Sequence, residues 1–184
     1  MGEHIRKGTD TLTELLTDVL QFTRLESGRV QTSSETVDVA QLVQESVEQH
    51  RKNVPEGVQL AVKEGTPGVI VMADKVRMGE ILHQYINNAL RHTKQGSVDV
   101  GWDYQPENGE VLIHVKDTGC GIAAEKQPKV FSLFWKEDEF APGIGIGLTL
   151  VKKYAELMGG KLFFSSRYGE GCDFGVLFPA RLRS

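Results

Sequence analysis

Two glycine clusters, Asp117-Thr-Gly-Cys-Gly121 and Gly143-Ile-Gly-Ile-Gly-Leu148, flank a segment rich in Phe and Trp. This pairing limits what the chain can build. Glycine has no Cβ and tolerates positive φ, so such clusters let backbone N–H groups come close to a phosphate chain. A helix starting at Leu148 would add its unpaired amino-terminal amides and the positive end of its dipole. The two commoner phosphate loops fit poorly. No G-x-x-x-x-G-K-[ST] occurs, and Leu148 stands where a G-x-G-x-x-G beginning at Gly143 needs its last glycine.

Composition narrows the class of protein further. The 184 residues are 40% hydrophobic and 25% charged, the balance of a soluble globular domain with an appendage. A net charge of −4 with scattered basic residues argues against a nucleic-acid partner. No apolar run reaches the length of a membrane helix, and the polar amino terminus is unlike a signal peptide, so no membrane contact by this chain and a cytoplasmic location are expected. Cys120 and Cys172 each stand beside a glycine. They read as small fillers of tight turns, both reduced.

The organisation changes once along the chain. From Ile5 to Leu25, the residues Ile5, Leu12, Leu15, Val19 and Phe22 fall on heptad a and d positions, and Leu16, Leu20 and Leu25 widen the stripe. Such a helix wants a partner. Gly28 marks its stop, and Gly8, costing about 1 kcal/mol against alanine, predicts fraying before Thr9. Residues 1–33 thus form a helix and linker, and 34–184 a separate unit. There the pattern predicts strands at Thr36–Val39, Val58–Lys63, Val69–Met72, Ser97–Tyr104, Val111–Lys116, Lys161–Ser166 and Cys172–Phe178. It predicts helices at Ala40–Asn53, from the N-cap Asp74 to His92, and at Leu148–Met158. The fold class is α/β, a two-layer sandwich of a mixed sheet covered by three helices and preceded by one long amphipathic helix.

On the middle helix, Gln84, Asn88, Arg91 and His92 share a polar face, while Met78, Leu82, Tyr85, Ile86 and Ala89 can turn to the sheet. A solvated face and a ligand face both fit that stripe. The nearby glycine loops favour the second.

In order, the chain shows Gln84-Tyr-Ile-Asn-Asn-Ala-Leu-Arg-His-Thr93, then D-x-G-x-G at Asp117–Gly121 and Phe131-Ser-Leu-Phe-Trp135. G-x-G-x-G-L at Gly143–Leu148 and a last glycine pair at Gly169 and Gly171 follow. From about Thr36 onward this resembles the catalytic ATP-binding domain of sensor histidine kinases in two-component systems. The helix ending Gln21-Phe-Thr-Arg-Leu-Glu-Ser-Gly28 resembles the second helix of the dimerisation domain that precedes it.

The resemblance implies ATP and Mg²⁺ as cofactors. Asp117 would accept the adenine exocyclic amine, a contact that favours adenine over guanine; its plainer reading is a turn aspartate before glycine. Gly119, Gly121 and Ile122 would border the base, and Gly143, Gly145, Gly147 and Leu148 would form the hinge of a lid and reach the phosphates. Arg91 and Lys136 would neutralise phosphate charge, though Lys136 also reads as surface before Glu137, Asp138 and Glu139. His92 would lie against the nucleotide or interact with the helix dipole. Phe131, Phe134 and Trp135 would anchor the lid's base by packing, with Phe140 docking its tip and Pro142 limiting its bend.

Three departures from the pattern accompany it. Gln84 stands where the family has an asparagine oxygen for Mg²⁺, with Asn88 at the second asparagine position. Asp173 replaces a common threonine near adenine, which would place a second carboxylate beside Asp117. The phosphoacceptor motif is missing, and His4 lacks its pattern; His50, His83 and His114 read as ordinary surface or core residues. The chain is therefore expected to be a piece of a larger kinase, with sensor and any membrane anchor upstream. It would act on a phosphoacceptor helix of the same kinase and through it on a response regulator, as a homodimer through its first helix. The alternatives are a nucleotide-binding or dimerising regulatory module without transfer activity, and an ATPase of the gyrase, chaperone and mismatch-repair type.

Overall fold

Helix α1 (Gly2–Glu26) opens the computed structural model, which describes residues 2–28, 30–132 and 146–184, with side chains from residue 12 onward. The helix runs through Gly8 instead of fraying before Thr9, because glycine weakens the i to i−4 ladder without removing a donor from it. It stops as predicted. Gly28 takes φ 69°, and its N–H donates to the Leu25 carbonyl at 3.2 Å.

The remaining chain alternates strand and helix: β1 (Glu35–Asp38), α2 (Val39–His50), β2 (Val58–Lys63), β3 (Val69–Ala73), α3 (Lys75–His92), β4 (Gly96–Gln105) and β5 (Glu110–Asp117). Then follow α4 (Gly147–Leu157), β6 (Lys161–Arg167), β7 (Gly171–Pro179) and the short β8 (Arg181–Leu182), which the sequence pattern does not predict. Asp38 caps α2 by accepting the Gln41 N–H, and Asp74 caps α3 by accepting those of Val76 and Arg77. Asp74 Oδ2 also accepts the Ser33 N–H at 3.0 Å, tying the linker to the start of α3.

The strands form two sheets where one was expected. Five strands lie in the order β2-β4-β5-β7-β6, with β2 parallel to β4 and the other pairs antiparallel; β1-β3-β8 form a smaller antiparallel sheet. On β5, Val111, Ile113 and Val115 point to the core, as do Phe174, Val176 and Phe178 on β7. Met78, Leu82, Tyr85, Ile86 and Ala89 of α3 are buried, as predicted, and the Tyr85 hydroxyl donates to the Gly175 carbonyl at 2.9 Å. Among the described residues, no helix is long and apolar enough to cross a membrane.

The apolar stripe of α1 splits into two faces. Phe22 and Leu25 pack against the core of the α/β unit, whereas Leu12, Leu16 and Leu20 are 65%, 60% and 54% exposed. A stripe this wide covers the unit and still leaves an apolar surface outside. Polar contacts at helical spacing fix the inward side: Glu14 accepts from Asn87 at 2.8 Å, Asp18 from Gln84 at 3.0 Å and Gln21 from the Tyr154 hydroxyl at 3.1 Å. Glu26 pairs with Lys153.

Two histidines expected to be ordinary instead join three helices. His50 Nδ1 lies 2.7 Å from the Ser46 carbonyl, and its Nε2 lies 2.9 Å from His83 Nδ1. A carbonyl only accepts, so His50 carries its proton on Nδ1. Burial lowers the pKa of His50, which keeps it neutral, and its Nε2 then accepts from His83 Nδ1–H. His83 Nε2 is left to accept from Asn87 Nδ2 at 3.1 Å, beside Glu14 of α1 at 3.7 Å.

Candidate functional site

Alternation along β5 carries Asp117 onto the helix-covered face at the strand's end, where it is only 4% exposed. Its Oδ1 accepts the Gly119 N–H at 2.9 Å and the Cys172 N–H at 3.2 Å. Burial raises the carboxyl's pKa above the ordinary range, against those two N–H groups and nearby His92. A carboxylate kept in a low-dielectric wall and oriented by two amides suits recognition of a hydrogen-bond donor.

One pocket opens beside it. Asn88 and His92 of α3, Asp117, Gly121 and Ile122 of the loop, and Leu148 in the first turn of α4 line its wall. Cys120, Cys172 and Phe174 complete the lining, although from sequence both cysteines read as turn fillers and none of the three is expected in the site. The alternation Cys172, Phe174, Val176, Phe178 on β7 could have revealed two of them. Phe174 packs on Phe164 with ring centroids 4.7 Å apart, and Phe131 meets Phe174 edge-on at 6.0 Å. The first residue of the aromatic segment therefore serves packing under the pocket, as expected.

The loop after Asp117 is held by backbone approach. Gly121 has φ 70°, and a Cβ there would collide with the Arg167 carbonyl; one at Gly119 would collide with that of His92. These glycines let the loop close on protein, beyond the expected room for a ligand. Ser166 Oγ accepts the Ile122 N–H at 2.8 Å and donates to the Gly171 carbonyl at 3.0 Å, while Gln127 Nε2 donates to Ile122 and Ser166 carbonyls. At α4, Ile146 occupies the N-cap without a side-chain hydrogen bond.

Other expected site residues fall elsewhere. Gln84 is buried away from the pocket lining: its Nε2 donates to Asp18 Oδ1, and its Oε1 faces the Cα of Gly147. The extra methylene relative to asparagine carries its amide to α1. Arg91 is exposed on the last turn of α3, near enough to Asp18 to act on its charge. Gly143, Gly145 and Lys136, with Phe134, Trp135, Phe140 and Pro142, lie outside the described residues.

Asp173 does not point into the pocket with Asp117, although its charge still adds to the raised pKa of that carboxyl. Its neighbours on β7 face the core, so it projects from the opposite face, where Oδ1 lies 2.8 Å from His114 Nδ1. Asp103 Oδ2 lies 3.1 Å from His114 Nε2. The hydrogen bond to Asp173 raises the pKa of His114; burial and Lys116 oppose it, and the charges of both aspartates add to it. A raised folded pKa makes this contribution to stability full below the unfolded value of about 6.5 and lost as pH rises through the folded one. Urea denaturation across that interval should show wild type losing stability relative to His114→Gln; parallel pH profiles would contradict the assignment.

An α/β sandwich with three helices on one face of the larger sheet, and a pocket between α3, the Asp117 loop and the start of α4, defines the class as an ATPase-type domain. Residues 73–182 match the family described as histidine kinase-, DNA gyrase B- and HSP90-like ATPase, and the chain belongs to that family, as a catalytic ATPase domain of the sensor histidine kinase type. Among relatives, it is 33% identical to the autoinducer 2 sensor kinase/phosphatase LuxQ of Vibrio cholerae, over 98% of this chain and 21% of that protein. It is 32% identical to the methanogenesis regulatory histidine kinase FilI of Methanothrix harundinacea, over 85% of this chain and 18% of that one. Full-length ShkA in complex with AMPPNP superposes with a TM-score of 0.86 at 28% identity, over 99% of this chain and 38% of that chain. The chain thus spans about a fifth of the length of these two curated relatives.

Proposed function

We propose that this chain binds Mg²⁺-ATP and positions its γ-phosphate for transfer to a histidine on a helix outside the chain, as the phosphotransferase part of a two-component sensor kinase. The observation that carries this reading is Asp117, buried in the pocket wall with Oδ1 held by two backbone amides. Its Oδ2 would accept the adenine amine, with Ile122, Leu148 and Phe174 as apolar neighbours of the base. His92 would lie along the nucleotide, and the uncapped amides at the start of α4 would face phosphate. Gly143, Gly145, Gly147 and Lys136 would form the lid and its cation, with Arg91 closing on phosphate from α3. The work of the protein is positioning and charge neutralisation.

Asn88, which lines the pocket, fits Mg²⁺ by its amide oxygen; Gln84 gives its Nε2 to Asp18 and turns its Oε1 to Gly147, outside the pocket lining, so its oxygen would have to turn to join Asn88. The ion would neutralise phosphate charge. Residues 1–33 would be part of a dimerisation helix, pairing two copies in the cytoplasm through Leu12, Leu16 and Leu20, with a response regulator as the downstream acceptor. The exposed apolar ridge supports that pairing.

A second reading, a nucleotide-binding module without transfer, is favoured by the engagement of Gln84 with α1. Incubating the chain with a polypeptide carrying the phosphoacceptor helix and radiolabelled Mg²⁺-ATP separates the two. Acid-labile phosphohistidine supports transfer; tight nucleotide binding without label supports the module. Sedimentation of the same sample should show a dimer, and a strict monomer at high concentration would refute the helix pairing.

A further inference from the structure

Two residues of α3 expected at the pocket are drawn to α1 instead, and both to the same carboxylate. Gln84 is buried, and its Nε2 donates to Asp18 Oδ1 at 3.0 Å. Arg91, further along α3, lies near enough for its charge to favour the Asp18 carboxylate, against burial and the charges of Glu14 and Glu80. Asn88 stands between them and lines the pocket. As placed, Gln84 Oε1 is turned to Gly147, where a Cβ would stand 2.6 Å from it, so the missing side chain leaves the amide room to move. Oε1 and Nε2 share one planar amide, and bringing the oxygen to Asn88 takes the nitrogen from Asp18. The flanking contacts permit that release: Glu14 and Glu26 of α1 meet His83, Asn87 and Lys153 through partly exposed side chains that water can replace.

We infer that Asp18 makes docked α1 an internal competitor of Mg²⁺-nucleotide: its carboxylate draws on Gln84 and Arg91, the side chains that metal and phosphate charge would otherwise turn to the pocket. The inference rests on the nucleotide reading of that pocket. With α1 docked, Asn88 is left without the second amide oxygen, and the cation of α3 answers a protein carboxylate in place of a phosphate. With α1 released, both side chains are free to turn. Linkage makes the effect reciprocal: Mg²⁺-nucleotide weakens the docking of α1 by the factor by which docking weakens Mg²⁺-nucleotide.

The test uses the full chain and has two arms. In the first, wild type and Asp18→Ala are titrated with a fluorescent ATP analogue, once with Mg²⁺ and once with EDTA. Asp18→Ala should bind the Mg²⁺ form about fivefold more tightly or better, with a smaller gain in EDTA. In the second, a carbodiimide joins Glu26 to Lys153 in the wild-type chain, and the intrachain yield is measured by mass spectrometry. Saturating Mg²⁺-ATP should lower that yield, and ATP with EDTA should lower it less. If Asp18→Ala does not fold, the cross-link decides alone. In a chain that binds nucleotide, an Asp18→Ala variant that binds no tighter, a gain no larger with Mg²⁺ than with EDTA, or a cross-link that Mg²⁺-ATP leaves unchanged would overturn the inference. Nucleotide bound neither by wild type nor by the variant would instead strike the functional reading beneath it.

Discussion

Asp117→Asn should bind ATP about ten- to 150-fold more weakly than wild type while melting at the same temperature or higher. Asparagine keeps an oxygen where Oδ1 accepts the Gly119 and Cys172 N–H groups, so the loop keeps its anchors. Its amide nitrogen then meets the adenine amine, donor against donor. The lost hydrogen bond to a charged group corresponds to about 1.5–3 kcal/mol, which sets the affinity range. Stability moves the other way, because the substitution removes a charge whose burial raises its pKa. Asp117→Ala removes the acceptor instead and leaves two amides without it, at a cost of about 1–3 kcal/mol each. Calorimetric titration and thermal melting of the three proteins check this, and wild-type affinity in the asparagine variant would refute the adenine contact.

The raised pKa of Asp117 also fixes the direction of two pH dependences. Stability from this group is full below its unfolded pKa of about 3.9 and declines as pH rises through the higher folded value. Nucleotide affinity rises over the same interval, because the carboxylate is the better acceptor for the amine. Both slopes should vanish in Asp117→Asn.

Local rules made most elements readable. Alternation along the second half of β5 marked its buried face, 3.6-residue periodicity marked the buried side of α3, and Asp74 and Gly28 marked helix ends. What stayed hidden depends on partners distant in sequence. Asp173 belongs to the outer face because β7 is phased by Cys172 and Phe174, and motif alignment placed it beside Asp117 by ignoring that phase. The motif position of Gln84 predicts a metal ligand, but Asp18, 66 residues away, holds its Nε2. The division of β1, β3 and β8 into their own sheet depends on pairing register, which short strands do not encode. His50 and His83 gained a role only when three helices met.

Gly171→Ala should destabilise the fold by roughly 3 kcal/mol or more. Gly171 starts β7 at φ 121°, a conformation that side chains rarely adopt, and a Cβ there would collide with the Asp117 carbonyl and crowd Thr118 Cα. Backbone stands on the other side, so no rotamer change relieves the clash; the β5 to β7 ladder, which pairs Lys116 with Asp173, must part at this end. Parting it draws the Cys172 N–H away from Asp117 Oδ1 and breaks the Ser166 bond to the Gly171 carbonyl, so affinity should fall with stability. Gly169 supplies the control. It also has positive φ, at 84°, but a Cβ there meets nothing within 4 Å. Gly169→Ala should therefore cost only the conformational penalty of about 1–2 kcal/mol. Urea denaturation of both variants measures the difference, and equal losses would show that φ alone, without contact with Asp117, governs this hairpin.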